Sequence, residues 1–273
     1  MEKAPKILPV VDPKTGTPKY HHENLPKVGC GVPGGGSLLL MVSPVRTGKS
    51  TIINNLLLNE NFYGQEFFDR VHIISNTIAN DVTSRFLNDA FDVEDHYDDS
   101  IINDILKTQK SYEKKDQPEI AIILDDCLGS IKRESKINHL CSRYRHFNIK
   151  LLIISSQKFR GQVSPIIRAN CTDVIVGSPF PNQRELLAVA EEYGDLFNGP
   201  DNWLKLYKKA TPNKYDFCYM DLQSNPPIMY SNFDKVIAHG GGNNMDDEDE
   251  VKTNMTNTKG NFSKSEDTKS DEN

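Results

Sequence analysis

The middle of the chain alternates between short, wholly apolar runs and longer stretches with helical spacing. Ser37-Leu-Leu-Leu-Met-Val42, Ile120-Ala-Ile-Ile-Leu124 and Leu151-Leu-Ile-Ile154 carry almost no polar position. Strands without a polar face are covered on both sides, which is the mark of a parallel sheet between helical layers. The pattern predicts strands over 37–42, 70–75, 119–125, 149–155 and 173–176. It predicts helices over 49–59, 82–90, 99–113, 135–145 and 181–193. Segments 215–222 and 228–231 read as a hairpin or edge addition. The expected fold class is therefore α/β, a mostly parallel sheet flanked by helices.

Both ends of the chain break this pattern. Residues 1–36 mix Pro, Lys and Gly and finish in Gly31-Val-Pro-Gly-Gly-Gly36, so they read as an arm and flexible lead-in. Residues 240–273 open with three Gly and then lose nearly all apolar content, so they read as a disordered acidic tail. One domain over 37–239 remains between them.

Charge changes this picture only locally. The net charge of the 273-residue chain is −6, and from Asp246 onward nine acidic residues face only four Lys. The body is thus close to neutral, and overall charge gives no support for nucleic-acid binding; contact with DNA has to come from a local patch. Cys30, Cys127, Cys141, Cys171 and Cys218 show neither C-x-x-C pairing nor zinc spacing, and reduced thiols fit best. No apolar run resembles a signal peptide or a membrane span, so a soluble intracellular protein is expected, with the sequons at Asn170, Asn254 and Asn261 arising by chance.

The first candidate chemistry lies where the 37–42 strand meets the 49–59 helix. The junction reads Ser43-Pro44-Val45-Arg46-Thr47-Gly48-Lys49-Ser50-Thr51. A strand, a short loop and a helix in that order is the context of a phosphate-binding loop, whose backbone N–H groups and helix dipole point at phosphate oxygens. Lys49 is placed to reach the β- and γ-phosphates of ATP, and the Ser50 hydroxyl to hold Mg²⁺. Ser43 stands where such loops normally begin with Gly, so this turn has to accept a Cβ. Ser, Thr and Gly ahead of an apolar helix also serve as plain N-caps.

A second candidate ends the 119–125 strand in Asp125-Asp126. Carboxylates beside a core strand need a charged or hydrogen-bonded partner, and Mg²⁺ with nucleotide supplies one. Asp125 is then the group that orients Mg²⁺ and Asp126 the general base for water. A helix N-cap or a loop acid is the simpler alternative for the pair. The next strand ends in Ser155-Ser156-Gln157, which delivers Gln157 near the γ-phosphate, unless the amide merely satisfies loop backbone. Arg143, Arg145 and Arg168 are each able to supply transition-state charge as an arginine finger, although a solvated surface Arg is the common fate.

The order of these motifs resembles a family. The phosphate loop, I-A-I-I-L-D-D, S-R-Y-R-H-F-N-I-K-L-L-I-I-S-S-Q and P-I-I-R-A-N-C-T-D-V-I-V are similar to the DNA-packaging ATPases of large nucleocytoplasmic DNA viruses and virophages. These are related to poxvirus packaging ATPases within the FtsK/HerA superfamily. The resemblance covers about residues 37–180. It implies a P-loop NTPase of the RecA-like (ASCE) type, with the Gln-bearing strand inserted between the two motif strands. It also implies ATP hydrolysis coupled to moving double-stranded DNA into a capsid, usually as a homo-oligomeric ring. Host cytoplasm (the viral factory) or the virion is the implied location, with capsid or other virion proteins as partners. Lys49 and Ser50 match the loop, Asp125 and Asp126 the acidic motif, and Gln157 the strand-end sensor. Arg145 matches an Arg that in relatives reaches a neighbouring subunit's nucleotide, and Arg168 is the alternative finger. The second acid is Asp126 where FtsK-like proteins usually carry Glu, one methylene longer.

Two other functions fit parts of the chain. A P-loop kinase of a small substrate needs an Arg-rich lid, for which 133–145 is the available segment; Asp125-Asp126 and Gln157 suit water activation better. A nucleotide-dependent assembly scaffold needs no turnover, against which the near-complete hydrolytic set argues. Lys132, Arg133, Lys158 and Arg160 are the loop cations available for a DNA-facing patch.

Overall fold

A computed structural model describes residues 24–77, 85–130 and 135–241. The 240–273 tail beyond residue 241, most of the 1–36 arm, the start of the 82–90 helix, and Lys132 with Arg133 lie outside the described residues.

Among the described residues, nine strands form one sheet. They are β1 (Ser37–Val42), β2 (Arg70–Ser75), β3 (Asp92–Glu94), β4 (Ile120–Asp125), β5 (Ile149–Ser156), β6 (Asp173–Gly177), β7 (Phe217–Asp221), β8 (Ile228–Ser231) and β9 (Lys235–His239). Their order is β3-β2-β4-β5-β1-β6-β7-β8-β9. Pairings from β3 through β6 are parallel, and β7 to β9 add an antiparallel meander onto β6. The Gln157-bearing β5 sits between β4 and β1, pairing Leu40 with Ile154 on one side and Leu124 with Ile154 on the other.

The apolar runs are buried on both faces because side chains alternate across a strand. Leu38, Leu40 and Val42 enter one core with Leu152 and Ile154, while Leu39 and Met41 enter the other with Leu151 and Ile153. The first core is roofed by α3 (Asp99–Ser111), α4 (Lys136–Arg143), α5 (Pro165–Asn170), α6 (Gln183–Tyr193) and α7 (Pro200–Ala210). The second lies under α1 (Lys49–Leu58) and α2 (Arg85–Ala90). Asp98, Ser135, Ser164 and Asn182 cap their helices with side-chain oxygens, which satisfies otherwise orphaned first-turn N–H groups.

Residues 24–36 depart from the expectation of a flexible lead-in. Leu25 and Val28 are buried against the second core. Lys150, itself buried within β5, donates from Nζ to the Gly29 carbonyl at 3.2 Å and the Val32 carbonyl at 2.8 Å, and pairs with Glu119 at 3.2 Å. Glu119 in turn accepts from the Gly31 N–H at 2.7 Å. An ammonium taken out of water needs such partners, and the turn of Gly residues supplies its carbonyls.

Elements β3, α5, α7 and β9 are additional to those the sequence pattern predicts. The helix α7 was legible: Gly199-Pro200 opens it, and Trp203, Leu206, Tyr207 and Ala210 follow at helical spacing. Its Trp203 and Tyr207 rings stack at 5.5 Å against the first core.

Candidate active site

Parallel strands deliver their C-terminal ends to one edge of the sheet, and ligands of such folds bind there. The loop Ser43–Gly48 emerges from β1 at that edge and feeds α1 directly. Gly48 takes φ 94° and Arg46 φ 61°, so the two left-handed positions of the loop lie at its crest and its end. Ser43 is not among them. It continues the extended course of β1, with its N–H donating to the Ser156 carbonyl at 2.9 Å. The Cβ that Gly would have spared is therefore harmless to the backbone at Ser43.

That Cβ has a consequence on the neighbouring strand. Ser43 is buried, its hydroxyl bonded to the Thr47 hydroxyl, and Thr47 donates on to the Pro44 carbonyl at 2.6 Å. A Cβ placed on Gly177, the last residue of β6, would lie 1.9 Å from Ser43 Oγ and 2.9 Å from its Cβ. The small residue absent from the start of the loop thus reappears across the sheet. Gly177→Ala is expected to lower stability by about 1–3 kcal/mol through overpacking. Adding Ser43→Gly should restore most of the loss, read as the coupling in a thermal-unfolding double-mutant cycle. Additive losses would show that the two residues do not compete for the same space.

Lys49 opens α1 and is buried. Its Nζ donates to the Ser43 carbonyl at 2.9 Å and lies 3.5 Å from both the Pro44 carbonyl and Asp126 Oδ2. The ammonium thus rests on carbonyls of its own loop and on one acid. Asp126 follows β4 with φ 51°, a left-handed position that Asp tolerates better than most residues. This turn aims its carboxylate back across β5 towards β1. Oδ2 accepts from Gln157 Nε2 at 3.2 Å, while Oδ1 is buried without a hydrogen-bond partner. Lys49, Asp126 and Gln157, from three adjacent strand ends, therefore share one small space.

Asp125 is the more enclosed acid. It accepts from the Ser155 hydroxyl on Oδ1 and from the Ser75 hydroxyl on Oδ2 at 3.3 Å. Burial raises its carboxyl above the ordinary aspartate range; the charge of Asp126 pushes the same way, while the two serines and Lys49 act in the opposite sense. A cation beside it would favour its ionised form. Mg²⁺ takes hard oxygen ligands, usually one or two carboxylates completed by phosphates and water. The Ser50 hydroxyl and the Asp125 carboxylate match that donor set. Among the described residues, no group of three or more His, Cys, Asp or Glu is arranged to hold a metal alone.

The structure does not bring Arg145 or Arg168 to this cluster. Arg145 lies in the 3₁₀ turn Tyr144–Phe147 that leads into β5, at the opposite edge of the sheet. It is exposed, lies over the Tyr144 ring and donates from Nε to the Gly36 carbonyl at 3.3 Å, just before β1 begins. Arg168, in α5, pairs with Glu192 at 2.7 Å and lies over the Phe159 ring at 5.1 Å. Arg160 is ion-paired with Glu191, whereas Lys158 makes no ion pair among the described residues. Ser75 and Gly177 are site residues that the sequence did not reveal. Both act across strands, and neither carries a local signal.

The fold is that of the P-loop NTPases, with the acid-bearing and loop-bearing strands separated by one strand. It is similar to B204, the DNA-packaging ATPase of Sulfolobus turreted icosahedral virus, with a TM-score of 0.53 and 15% identity over 72% of this chain and 97% of that one. The genome packaging NTPase B204 of Sulfolobus turreted icosahedral virus 2 in complex with ATP-gammaS gives a TM-score of 0.50 and 19% identity, over 72% and 98%. At such identities the likeness establishes the fold. In sequence, uncharacterized protein 075L of Invertebrate iridescent virus 6 is 30% identical over 149 residues, 52% of this chain and 54% of that protein. The chain thus spans about half the length of the curated relative it matches. No protein-family model matches the chain. Among the described residues, no helix is long and apolar enough to cross a membrane.

Proposed function

We propose that the chain is an ATP-hydrolysing motor subunit that moves double-stranded DNA into a viral capsid as part of a homo-oligomeric ring. The observation that carries the reading is the meeting of Lys49, Asp126 and Gln157 at 3.5 Å and 3.2 Å beside a phosphate loop. A cation for the γ-phosphate, a carboxylate for water and an amide to orient it are what hydrolysis requires. The packaging assignment draws on the B204 likeness, whose described function is genome packaging.

In this reading the nucleotide draws Lys49 Nζ from the Ser43 and Pro44 carbonyls to its β- and γ-phosphates. Backbone N–H groups of residues 45–51 receive the remaining phosphate oxygens. Mg²⁺, held by Ser50 and Asp125, supplies positive charge against the phosphates. Gln157 and Asp126 orient a water opposite the leaving group. As the water oxygen bonds to the γ-phosphorus, Asp126 accepts its proton and ADP departs with the bonding electron pair. Gln157, hydrogen-bonded to Asp126, reports the change of charge along β5. Arg145 or Arg168 completes the transition state from a neighbouring subunit. Capsid or other virion proteins are the assembly partners, in the host cytoplasm or virion.

The test is ATP hydrolysis by the purified chain with and without linear double-stranded DNA, alongside Lys49→Ala. DNA-stimulated turnover that disappears in Lys49→Ala is expected. Turnover indifferent to DNA would overturn the motor, and turnover only with an added small hydroxyl acceptor would make the chain a kinase.

A further inference from the structure

A nucleoside triphosphate crossing the phosphate loop has two ends, and the groups described so far serve only one. Asp125, Asp126 and Gln157 stand on the β4–β5 side of β1, which is where the proposed function puts the γ-phosphate. The nucleoside must then leave on the other side, over the ends of β6 and β7. What stands at that position is Tyr215.

Tyr215 precedes β7, whose Phe217 pairs with Gly177 at the C-terminal end of β6. Its ring reaches the phosphate loop: Cδ1 lies 4.0 Å from where a Cβ on Gly48 would be. It is nevertheless 55% exposed, unlike nearly every other large ring in the domain. Its backbone takes φ 73°, a left-handed conformation that is an outlier for a bulky aromatic residue. The surrounding turn imposes that conformation. Tyr215 N–H donates to the Ser178 carbonyl at 3.2 Å, and Asp216 accepts from the Asn213 backbone N–H at 2.8 Å and from Asn213 Nδ2 at 3.1 Å. Asn would fit this position without strain, so folding alone gives no reason for a tyrosine. Lys214 Nζ covers one side of the ring, 4.6 Å from its centre. A strained, rigidly held and exposed aromatic beside the phosphate loop suits a ligand with a flat π-face.

We infer that Tyr215 is the platform on which the nucleobase of the bound nucleotide stacks, on the face that Lys214 leaves open. The inference rests on the nucleotide-binding part of the proposed function and adds its second half, recognition of the nucleoside. Stacking of this kind tolerates any base, so Tyr215 contributes affinity rather than base identity.

Isothermal titration of the full chain with MgATP and with magnesium tripolyphosphate separates the two halves. Tyr215→Asn, which removes the ring and suits the left-handed backbone, should weaken ATP binding about tenfold. It should leave tripolyphosphate binding and the melting temperature unreduced, and Tyr215→Phe should bind ATP like the wild type. ATP binding unchanged in Tyr215→Asn, or equal loss of both ligands, overturns the platform while nucleotide binding stands. A wild-type chain that binds neither ligand overturns the nucleotide reading itself, and the platform with it.

Discussion

Asp126→Asn is expected to bind MgATP at least as tightly as the wild type and to lose turnover by about 10²- to 10⁴-fold, the range for removing a general base. The substitution keeps the shape of the side chain and an acceptor for Gln157 Nε2, which now donates at 3.2 Å. It removes the negative charge that holds Lys49 at 3.5 Å, which frees the ammonium for phosphate. An amide cannot take the proton of water. Binding and chemistry should therefore move in opposite directions, a split that general unfolding of the site cannot produce. Calorimetric affinity together with single-turnover hydrolysis measures it. Turnover within a few-fold of wild type would remove Asp126 from the role of base and leave it as a tether for Lys49.

Arg145→Ala is expected to cost about 10³- to 10⁵-fold in the turnover of the assembled protein, the effect of losing an arginine finger. Within one chain the residue has no access to the nucleotide. It touches Gly36 at the start of β1, whereas Ser43 opens the phosphate loop at the other end of that strand. A strand of this length spans about 20 Å, so any action of Arg145 on a nucleotide crosses a subunit boundary. Mixing provides the decisive measurement. Lys49→Ala subunits keep the arginine and lack the loop cation, and Arg145→Ala subunits have the reverse. Co-assembled, they should regain part of the turnover that each lacks alone. An inactive Arg145→Ala protein with no recovery on mixing would mean that the arginine serves only its own turn, against Tyr144 and Gly36. Recovery with Arg168→Ala instead would transfer the finger to α5, where Glu192 must first release it.

Residues 37–42, 120–124 and 151–154 could be read as buried parallel strands because an unbroken apolar run has few other stable destinations. Ser43–Thr51 could be read as a phosphate loop because its parts are contiguous in the chain. Asp125-Asp126 and Gln157 were legible as strand-end polar groups for the same local reason, and the family resemblance implied that the Gln-bearing β5 lies between the acid-bearing β4 and the loop-bearing β1. The folded lead-in at 24–36 was misread because Gly-rich composition reports freedom in the unfolded chain. It does not report the buried Lys150 that fixes the carbonyls of Gly29 and Val32.

By itself, then, the sequence determined the strand–helix alternation, the short loop that joins β1 to α1 and the identity of the polar groups at the strand ends. Each follows from side chains close in the chain acting on their own backbone. Only the tertiary structure decided that Asp126 meets Lys49, that Ser43 is accommodated by a Gly on β6, that Arg145 faces away from its own loop, and that Tyr215 stands beside Gly48. These are contacts between segments brought together by strand order and register, and no local preference of either partner specifies them.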